Sequence, residues 1–272
     1  MTRSRSWREW VVPPAVSSWA ARRSGGLTVF DDSVSSWHEA SEQSTGYDSQ
    51  LIIDRVRSAT QLVLDGQAAF ERDGVTFTSP EYRWPVLAGL LQVAATDGEL
   101  RVLDFGGSLG SAYWQNRNLL TGFPVFWGVV EQPEFIAAGR ALEQDSVNFF
   151  DSIIQYCETG APNVILLSSV LQYLPNPDHV LRDFLGTAAH TLIIDRTPMS
   201  NRSVNLACVQ KVPQNIYQAS YPAWIFSRTW LADQFRNWSI LAVFEGIEPI
   251  GVTTRGVEFS WDGLIAKRTQ NA

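Results

Sequence analysis

Residues 102–110 constrain the fold of this chain more than any other segment. Their sequence, Val-Leu-Asp-Phe-Gly-Gly-Ser-Leu-Gly, predicts a buried strand that ends in a glycine turn and opens a helix. Gly106 and Gly107 permit backbone angles and a close ligand approach that a Cβ would prevent, and Gly110 lets the next helix pack closely. This arrangement is typical of a doubly wound α/β sheet that holds a nucleoside at the turn. A tight turn that holds no ligand is the alternative.

The turn departs from the glycine pattern of dinucleotide-binding proteins. In a Gly-x-Gly-x-x-Gly pattern the first glycine would stand where this chain has Phe105, and Asp104 precedes that position. An acidic side chain at the strand tip repels a pyrophosphate but attracts the ammonium and sulfonium groups of S-adenosylmethionine. The pattern therefore favours S-adenosylmethionine as the cofactor and argues against a dinucleotide-dependent oxidoreductase.

A second acidic residue stands at the spacing expected for a ribose contact. Residues 125–130 predict the next parallel strand, which ends at Glu131, about 20 positions beyond the glycine turn. A carboxylate at this place can accept hydrogen bonds from ribose hydroxyls. Two independent features thus predict one adenosine-containing ligand.

Polar residues also end the strands that follow. Because the carboxyl ends of parallel strands meet at one edge of the sheet, these polar residues are expected to line a single cleft. They are Asp151 and Ser152, which we expect beside the adenine, then Ser168 and Ser169, and then Asp195 and Arg196. Polar residues also end strands for structural reasons alone, so the series carries more weight than any one member.

Several segments together resemble a known family. They are residues 102–110, Val130-Glu131-Gln132-Pro133, residues 168–174 (Ser-Ser-Val-Leu-Gln-Tyr-Leu), residues 194–198 (Ile-Asp-Arg-Thr-Pro), residues 44–48 and residues 220–226. With them the chain resembles a family of bacterial class I S-adenosylmethionine-dependent methyltransferases, often encoded among surface-polysaccharide biosynthesis genes. The resemblance spans residues 28–266 and supplies a cofactor but no acceptor.

The resemblance implies a fold and a cofactor site. The fold is an α/β Rossmann-like sheet of seven mostly parallel strands, with helices on both faces and an antiparallel last strand. The methionine end of the cofactor would lie at Asp104, Gly106, Gly107 and Gly110, the ribose at Glu131, and the adenine beside Asp151 and Ser152. The remaining predicted cofactor-binding residues are Gln132, Ser168 and Ser169.

The chain divides into three predicted regions. Residues 1–45 form a basic and aromatic arm, residues 46–98 a helical cover, and residues 99–268 the S-adenosylmethionine-binding domain with a lid-like insertion at 199–227. The arginines and tryptophans of residues 1–23 are compatible with weak peripheral membrane contact, but packing on the domain is the favoured interpretation. Aromatic residues of the insertion are predicted to stack on a sugar; an insertion packed on the sheet edge is the alternative.

The composition of the chain limits the kinds of molecule that it is expected to bind. The net charge of −7 argues against nucleic acid as the acceptor, which leaves a small molecule, a nucleotide sugar or a glycan. The two cysteines provide neither a disulfide framework nor a zinc pattern, and no group of residues has metal-ligand spacing. Together with the absence of a long apolar run, these features predict a cytoplasmic protein without a metal.

Methyl transfer to a hydroxyl needs aligned reactants and removal of a proton. Asp195 is the predicted base, with Arg196 orienting or pairing with it and Tyr173 nearby; a salt bridge that only shapes the loop is equally compatible. The predicted acceptor-binding residues are Gln172, Tyr217, Tyr221 and Trp224. The predicted function is O-methylation of a sugar or glycan hydroxyl. A catalytically silent protein that keeps the nucleoside pocket as a sensor or partner platform is the alternative.

Overall fold

The computed structural model describes residues 28–45, 49–142, 145–212, 219–246 and 248–269. The strands are β1 Val29–Asp31, β2 Phe70–Arg72, β3 Val75–Phe77, β4 Leu100–Phe105, β5 Val125–Val130, β6 Val147–Phe150, β7 Val164–Ser168, β8 Thr191–Ser200, β9 Leu206–Lys211, β10 Ser220–Ser227, β11 Trp238–Glu245, β12 Gly251–Val252 and β13 Glu258–Arg268. The helices are α1 Trp37–Gln43, α2 Ser49–Leu64, α3 Trp84–Asp97, α4 Ser111–Asn116, α5 Pro133–Arg140, α6 Ile153–Glu158, α7 Pro177–Gly186 and α8 Arg228–Gln234.

The central sheet has the order β6-β5-β4-β7-β8-β13-β11. The five strands from β6 to β8 are mutually parallel, whereas β13 runs antiparallel to both β8 and β11. This is the mostly parallel seven-stranded sheet with an antiparallel last strand that the sequence predicts, so the expected Rossmann-like fold is confirmed.

Helices cover the sheet on both faces, which explains the nearly continuous apolar sequences of its central strands. Helices α2, α3 and α5 pack on one face, and α6, α7 and α8 contribute to the core of the other. Pro85 lies in the first turn of α3, and Gly98 ends that helix in the left-handed region with φ 76°. Helix caps at proline and glycine thus fix the position of the segment that leads into β4.

The position of β4 determines where a ligand can bind. The chain order runs outward from β4 in both directions, through β5 to β6 on one side and through β7 to β8 on the other. In open α/β sheets this change of direction leaves a crevice at the carboxyl ends of the strands. The glycine turn at Gly106 and Gly107 lies at that end of β4.

The insertion at 199–227 is largely β-structure in the described residues. Strands β9 and β10 form an antiparallel pair, β1 joins on the other side of β9, and β10 then runs parallel to the end of β8 at Phe226 and Met199. The ribbon formed by β1, β9 and β10 therefore extends the sheet beyond the end of β7. This arrangement matches an insertion packed on the sheet edge, the alternative that the sequence left open.

Among the described residues, none of the helices combines the length and apolar character needed to cross a bilayer. The predicted arm at residues 1–23 lies outside the described residues.

Candidate functional site

One cavity lies at the carboxyl ends of the central strands. Its empty space, including the part open to solvent, is about 760 Å³. Its lining comes from the glycine turn, the ends of β5, β7 and β8, helices α4 and α5, and the segment between α2 and α3. The lining residues that carry charge are Glu71, Arg72, Asp73, Arg83, Asp104, Glu131, Asp195 and Arg196.

The glycine turn is held close to its neighbouring strands. The Gly106 amide donates to the Val130 carbonyl over 3.0 Å, and Gly106 has φ +69°. A Cβ on Gly106 would collide with the Val170 side chain. The glycine there is therefore required both by backbone conformation and by packing, and the ligand-binding role remains a prediction.

Gly107 faces the side chain of Asp104. A Cβ at Gly107 would collide with the Asp104 carboxyl group, which accepts a hydrogen bond of 3.0 Å from Trp127 Nε1. This contact supplies a reason for glycine that the sequence did not reveal, because the expected reason was space for the cofactor's methionine portion. Asp104 lines the cavity but is 1% exposed, and burial raises its pKa to about 7.

Glu131 stands at the end of β5 and lines the cavity. Its Oε1 accepts from the Ser108 amide at 3.2 Å, and its Oε2 accepts from the Gln132 amide at 2.8 Å. Burial raises its pKa to about 7 despite these two bonds. Because a carboxylate has about four acceptor positions, Glu131 is fixed in place and still able to accept hydrogen bonds from a ligand.

The pH dependence of stability tests whether burial raises the pKa values of the cavity's carboxyl groups. Glu71, Asp104 and Glu131 all have pKa values raised to about 7, with burial as the largest cause. In the unfolded chain these values return to about 4, so the folded state binds more protons between about pH 4 and pH 7. The stability from these groups is therefore full below about pH 4 and lost as the pH rises through 7.

We expect the free energy of unfolding without ligand to fall between about pH 4 and pH 7, measured by urea denaturation. The double variant Asp104→Asn, Glu131→Gln isolates two of the three groups and should show a shallower fall than the parent. Parallel curves for parent and variant would show that these carboxyl groups do not change protonation on folding.

Asp195 lies in β8 at the other end of the cavity. Its two carboxylate oxygens accept from the Arg83 guanidinium, with Arg83 Nε at 3.2 Å from Oδ2 and Arg83 Nη2 bonded to Oδ1. Ser168 Oγ donates to Asp195 Oδ2 at 3.3 Å. The side chains of Arg83 and Asp195 are 7% and 2% exposed, so this is a buried ion pair at the cavity wall.

Arg196 does not pair with Asp195 as its base-orienting partner. It binds Asp73 at 3.1 Å and Glu248 at 2.8 Å, and its backbone adopts φ 53°. Burial by itself would lower the pKa of Arg196. The carboxylates of Asp73 and Glu248 outweigh burial and raise this pKa above its ordinary value, so the guanidinium stays charged. Asp195 and Arg196 both line the cavity, and they bind different partners at a point where the pairing of β8 with β13 is irregular and the Arg196 backbone is left-handed.

The hairpin of β2 and β3 forms part of the cavity wall through Glu71, Arg72 and Asp73. Glu71 accepts from Ser111 Oγ at the start of α4 and from the Gly74 amide at 3.1 Å, while Asp73 binds Arg196. Arg72 packs against the rings of Phe70 and Phe77, with its Cζ 5.5 and 5.6 Å from the ring centroids.

Sequence reasoning missed the role of this hairpin and of Arg83. The available signal was the run Glu71-Arg72-Asp73, three charged residues in a segment that turns out to be buried. Charges are rarely buried unless they are paired, so such a run in an otherwise structured cover indicates partners elsewhere in the chain.

Three predicted acceptor-binding residues, Gln172, Tyr221 and Trp224, lie outside the cavity lining, as does Tyr173, which is a predicted catalytic residue. Tyr173 is buried and donates to Gln210 at 2.9 Å, and Gln172 Nε2 donates to Ser169 Oγ at 3.0 Å. Trp224 Nε1 donates to the Leu174 carbonyl at 3.0 Å. Tyr221 is also buried, with its ring centroid 6.4 Å from that of Tyr173. Tyr217 lies outside the described residues.

The remaining predicted cofactor residues divide into two groups. Ser168 and Ser169 line the cavity, whereas Asp151, Ser152 and Gln132 do not. Ser152 caps α6 by accepting from the Gln155 amide at 3.2 Å, and it donates to Asp151 Oδ1 at 2.9 Å. These bonds account for Asp151 and Ser152 structurally, and their adenine contact stays a prediction.

Histidine does not contribute to the cavity in the described structure. The histidines pair elsewhere: His38 with Glu42, His179 with Asp183 and His190 with Asp97. A search of the described residues for three or more closely grouped His, Cys, Asp or Glu side chains that could hold a metal ion finds none.

No protein-family model matches the sequence, and no curated protein sequence does. Solved structures show a distant similarity. The N-terminal domain of EvdMO1, determined in the presence of S-adenosylhomocysteine and D-fucose, is 14% identical, with 82% of this chain and 98% of that chain covered and a TM-score of 0.43.

Two others are comparable. A 1,6-didemethyltoxoflavin-N1-methyltransferase from Burkholderia thailandensis is 16% identical, with 83% and 92% covered and a TM-score of 0.41. The [4+2]-cyclase SpnF is 13% identical, with 81% and 95% covered and a TM-score of 0.46. Similarity at this level assigns no activity to this chain.

Proposed function

We propose that this protein is an S-adenosylmethionine-dependent methyltransferase that acts on a hydroxyl group of a small-molecule acceptor, a nucleotide sugar or a glycan. The observation that carries the proposal is Glu131, which lies in the cavity wall beside the glycine turn with its carboxylate fixed by the Ser108 and Gln132 amides. An acid at this strand end is suited to bind ribose hydroxyls.

The charge of the cavity supports a cationic cofactor. Its lining carries five acidic residues, Glu71, Asp73, Asp104, Glu131 and Asp195, against three arginines, Arg72, Arg83 and Arg196. An excess of carboxyl groups disfavours a pyrophosphate and favours a ligand that carries an ammonium and a sulfonium. Binding such a cation would lower the raised pKa values of Asp104 and Glu131, since an opposite charge favours the ionised form.

S-adenosylmethionine, when bound, supplies an electrophilic methyl group. The chain's own task is to align the acceptor and to manage the proton of its hydroxyl. Asp195, Arg83 and Ser168 form a hydrogen-bonded group at the cavity end away from Glu131, so we assign the acceptor to that end. Asp195 is the candidate base, and Arg83 holds its carboxylate in position.

Replacing Glu131 tests the cofactor assignment. Glu131→Gln should weaken binding of S-adenosylhomocysteine by roughly 1 to 3 kcal/mol, the range for hydrogen bonds to a charged group, as measured by titration calorimetry. Glu134→Gln, an exposed position in the first turn of α5, is the matched control and should bind normally. Unchanged affinity in Glu131→Gln would remove the ribose assignment.

A turnover assay separates the enzyme from the silent binding protein. The parent should transfer a labelled methyl group from S-adenosylmethionine to one of a panel of nucleotide sugars, detected by mass spectrometry of the product. Tight binding of S-adenosylhomocysteine with no transfer to any acceptor in the panel would favour a sensor or partner platform. Binding of NAD in place of S-adenosylhomocysteine would contradict both interpretations.

A further inference from the structure

Strand β11 leaves an unusual amount of apolar surface exposed at the edge of the sheet. Ile240, Leu241 and Val243 are 40%, 46% and 69% exposed. Of the strand's eight residues, only Trp238 is buried and only Phe244 is partly so. In the described part of the chain, β11 pairs with β13 on one side and with no strand on the other. Both side-chain faces and one backbone edge are thus open.

An open edge of this kind is a site for strand pairing. Edge strands present unpaired amide and carbonyl groups, and natural proteins protect them with short length, charges or bulges. Here a bulge at Leu241 interrupts the pairing with β13, but the stretch from Ala242 to Glu245 is regular. The single charge in β11 is Glu245 at its end. The strand is therefore incompletely protected against association.

We propose that β11 is the interface with a second copy of this chain, paired antiparallel across a twofold axis. The charges around the strand support this choice of partner. Arg236 and Lys267 lie near its amino end, where Lys267 is paired with Ser239, whereas Glu245 lies at its carboxyl end. An antiparallel pair brings the acidic end of one copy against the basic end of the other, and a parallel pair would bring like charges together.

The same geometry makes the interface self-complementary. A twofold axis places identical surfaces against each other, so the exposed Ile240, Leu241 and Val243 of one copy meet the same residues of the other. Only four residues per copy are in regular strand conformation beyond the bulge, so backbone hydrogen bonds are few. The apolar side chains therefore supply most of the contact, and Val243, the most exposed of them, is the position to test.

The test is the oligomeric state by sedimentation velocity across a wide range of protein concentration. The parent should dimerise. Val243→Lys should weaken the dimer by about 10-fold or more, because it removes apolar contact at the axis and places two ammonium groups close together across it. Val243→Thr, which keeps the β-branched shape, should remain a dimer, as should Ile154→Lys, an equally exposed apolar position in α6. Circular dichroism verifies that each variant is folded.

Two results would overturn the proposal. One is a parent that stays monomeric at every concentration; the other is a Val243→Lys variant that dimerises as the parent does. Amide hydrogen exchange of residues 240–245 identifies a different occupant. Protection in a monomeric parent that disappears on deletion of residues 1–27 would show that the edge is covered by the chain's own amino-terminal segment. A dimer insensitive to Glu245→Lys would contradict the antiparallel arrangement.

Discussion

Arg83→Met is expected to lower the free energy of unfolding by about 3 to 5 kcal/mol, the range for removing one partner of a buried ion pair. The side chains of Arg83 and Asp195 are 7% and 2% exposed, and the guanidinium contacts both carboxylate oxygens. Without Arg83, Asp195 must either stay charged without its cation or take up a proton. Both cost free energy in a site from which water is largely excluded.

Two further variants separate loss of the pair from loss of packing. The double variant Arg83→Met, Asp195→Leu removes both charges and should recover most of the lost stability, because apolar replacement of a buried pair is often neutral. Arg140→Met, on α5, serves as a control, because Arg140 is exposed and reaches one backbone carbonyl, that of Phe149. Urea denaturation gives each value. A loss below about 1 kcal/mol for Arg83→Met would place this pair among weakly contributing surface pairs.

The fold could be predicted from the sequence because its signals are local. The apolar runs that end at Phe105 and Val130 each predict a strand, and β4 and β5 end at those residues. The run that ends at Ile194 also predicts a strand, but β8 continues through Asp195 and Arg196 to Ser200. The antiparallel last strand that the resemblance implies is β13, which pairs with β8 and β11. Parallel topology then places these strand ends at one edge without further information.

The partners across the cavity could not be predicted. Arg83 and Asp195 are 112 positions apart, and Arg196 and Asp73 are 123 apart. The adjacency of Asp195 and Arg196 in the sequence favours a pair between them, yet Arg196 binds Asp73 and Glu248 instead. The sequence predicts a helical cover over residues 46–98. The strands β2 and β3 have three residues each, which is too short for a clear alternating pattern, so the charges that they bring into the cavity could not be predicted.

The contacts of the predicted aromatic site residues also could not be predicted from the sequence. Tyr221 and Trp224 are predicted acceptor contacts because they lie in the long segment 199–227, where exposed aromatic side chains would suit a sugar. Tyr173 is a predicted catalytic residue because it follows a strand tip. The segment forms β9 and β10 instead, and Trp224 stacks on Trp37 with ring centroids 5.3 Å apart. Aromatic residues pack on protein more often than on ligands, and only tertiary structure distinguishes the two. We therefore propose that Arg83, Ser168 and Asp195 mark the acceptor end of the cavity.

Asp195→Asn is expected to lower turnover by roughly 100-fold to 10,000-fold, the range for loss of a general base, while affinity for S-adenosylhomocysteine stays nearly unchanged. The amide keeps the size of the side chain and can still accept one hydrogen bond from Arg83, but it cannot take a proton from an acceptor hydroxyl. Ser168→Ala removes the other polar group on Asp195 Oδ2 and should have a smaller effect, since the carboxylate remains.

The kinetic parameters decide between a base and an anchor. If Asp195 is the base, Asp195→Asn lowers kcat at saturating acceptor and removes the acidic limb of the pH profile of kcat/KM. If Asp195 only positions Arg83, the same variant raises KM for the acceptor and leaves both kcat and the pH profile unchanged. The second pattern would mean that Arg83, held by Asp195, orients the acceptor and that transfer proceeds by alignment without a dedicated base. Arg83→Lys would then raise KM as well, because an ammonium cannot reproduce the two-point contact of a guanidinium.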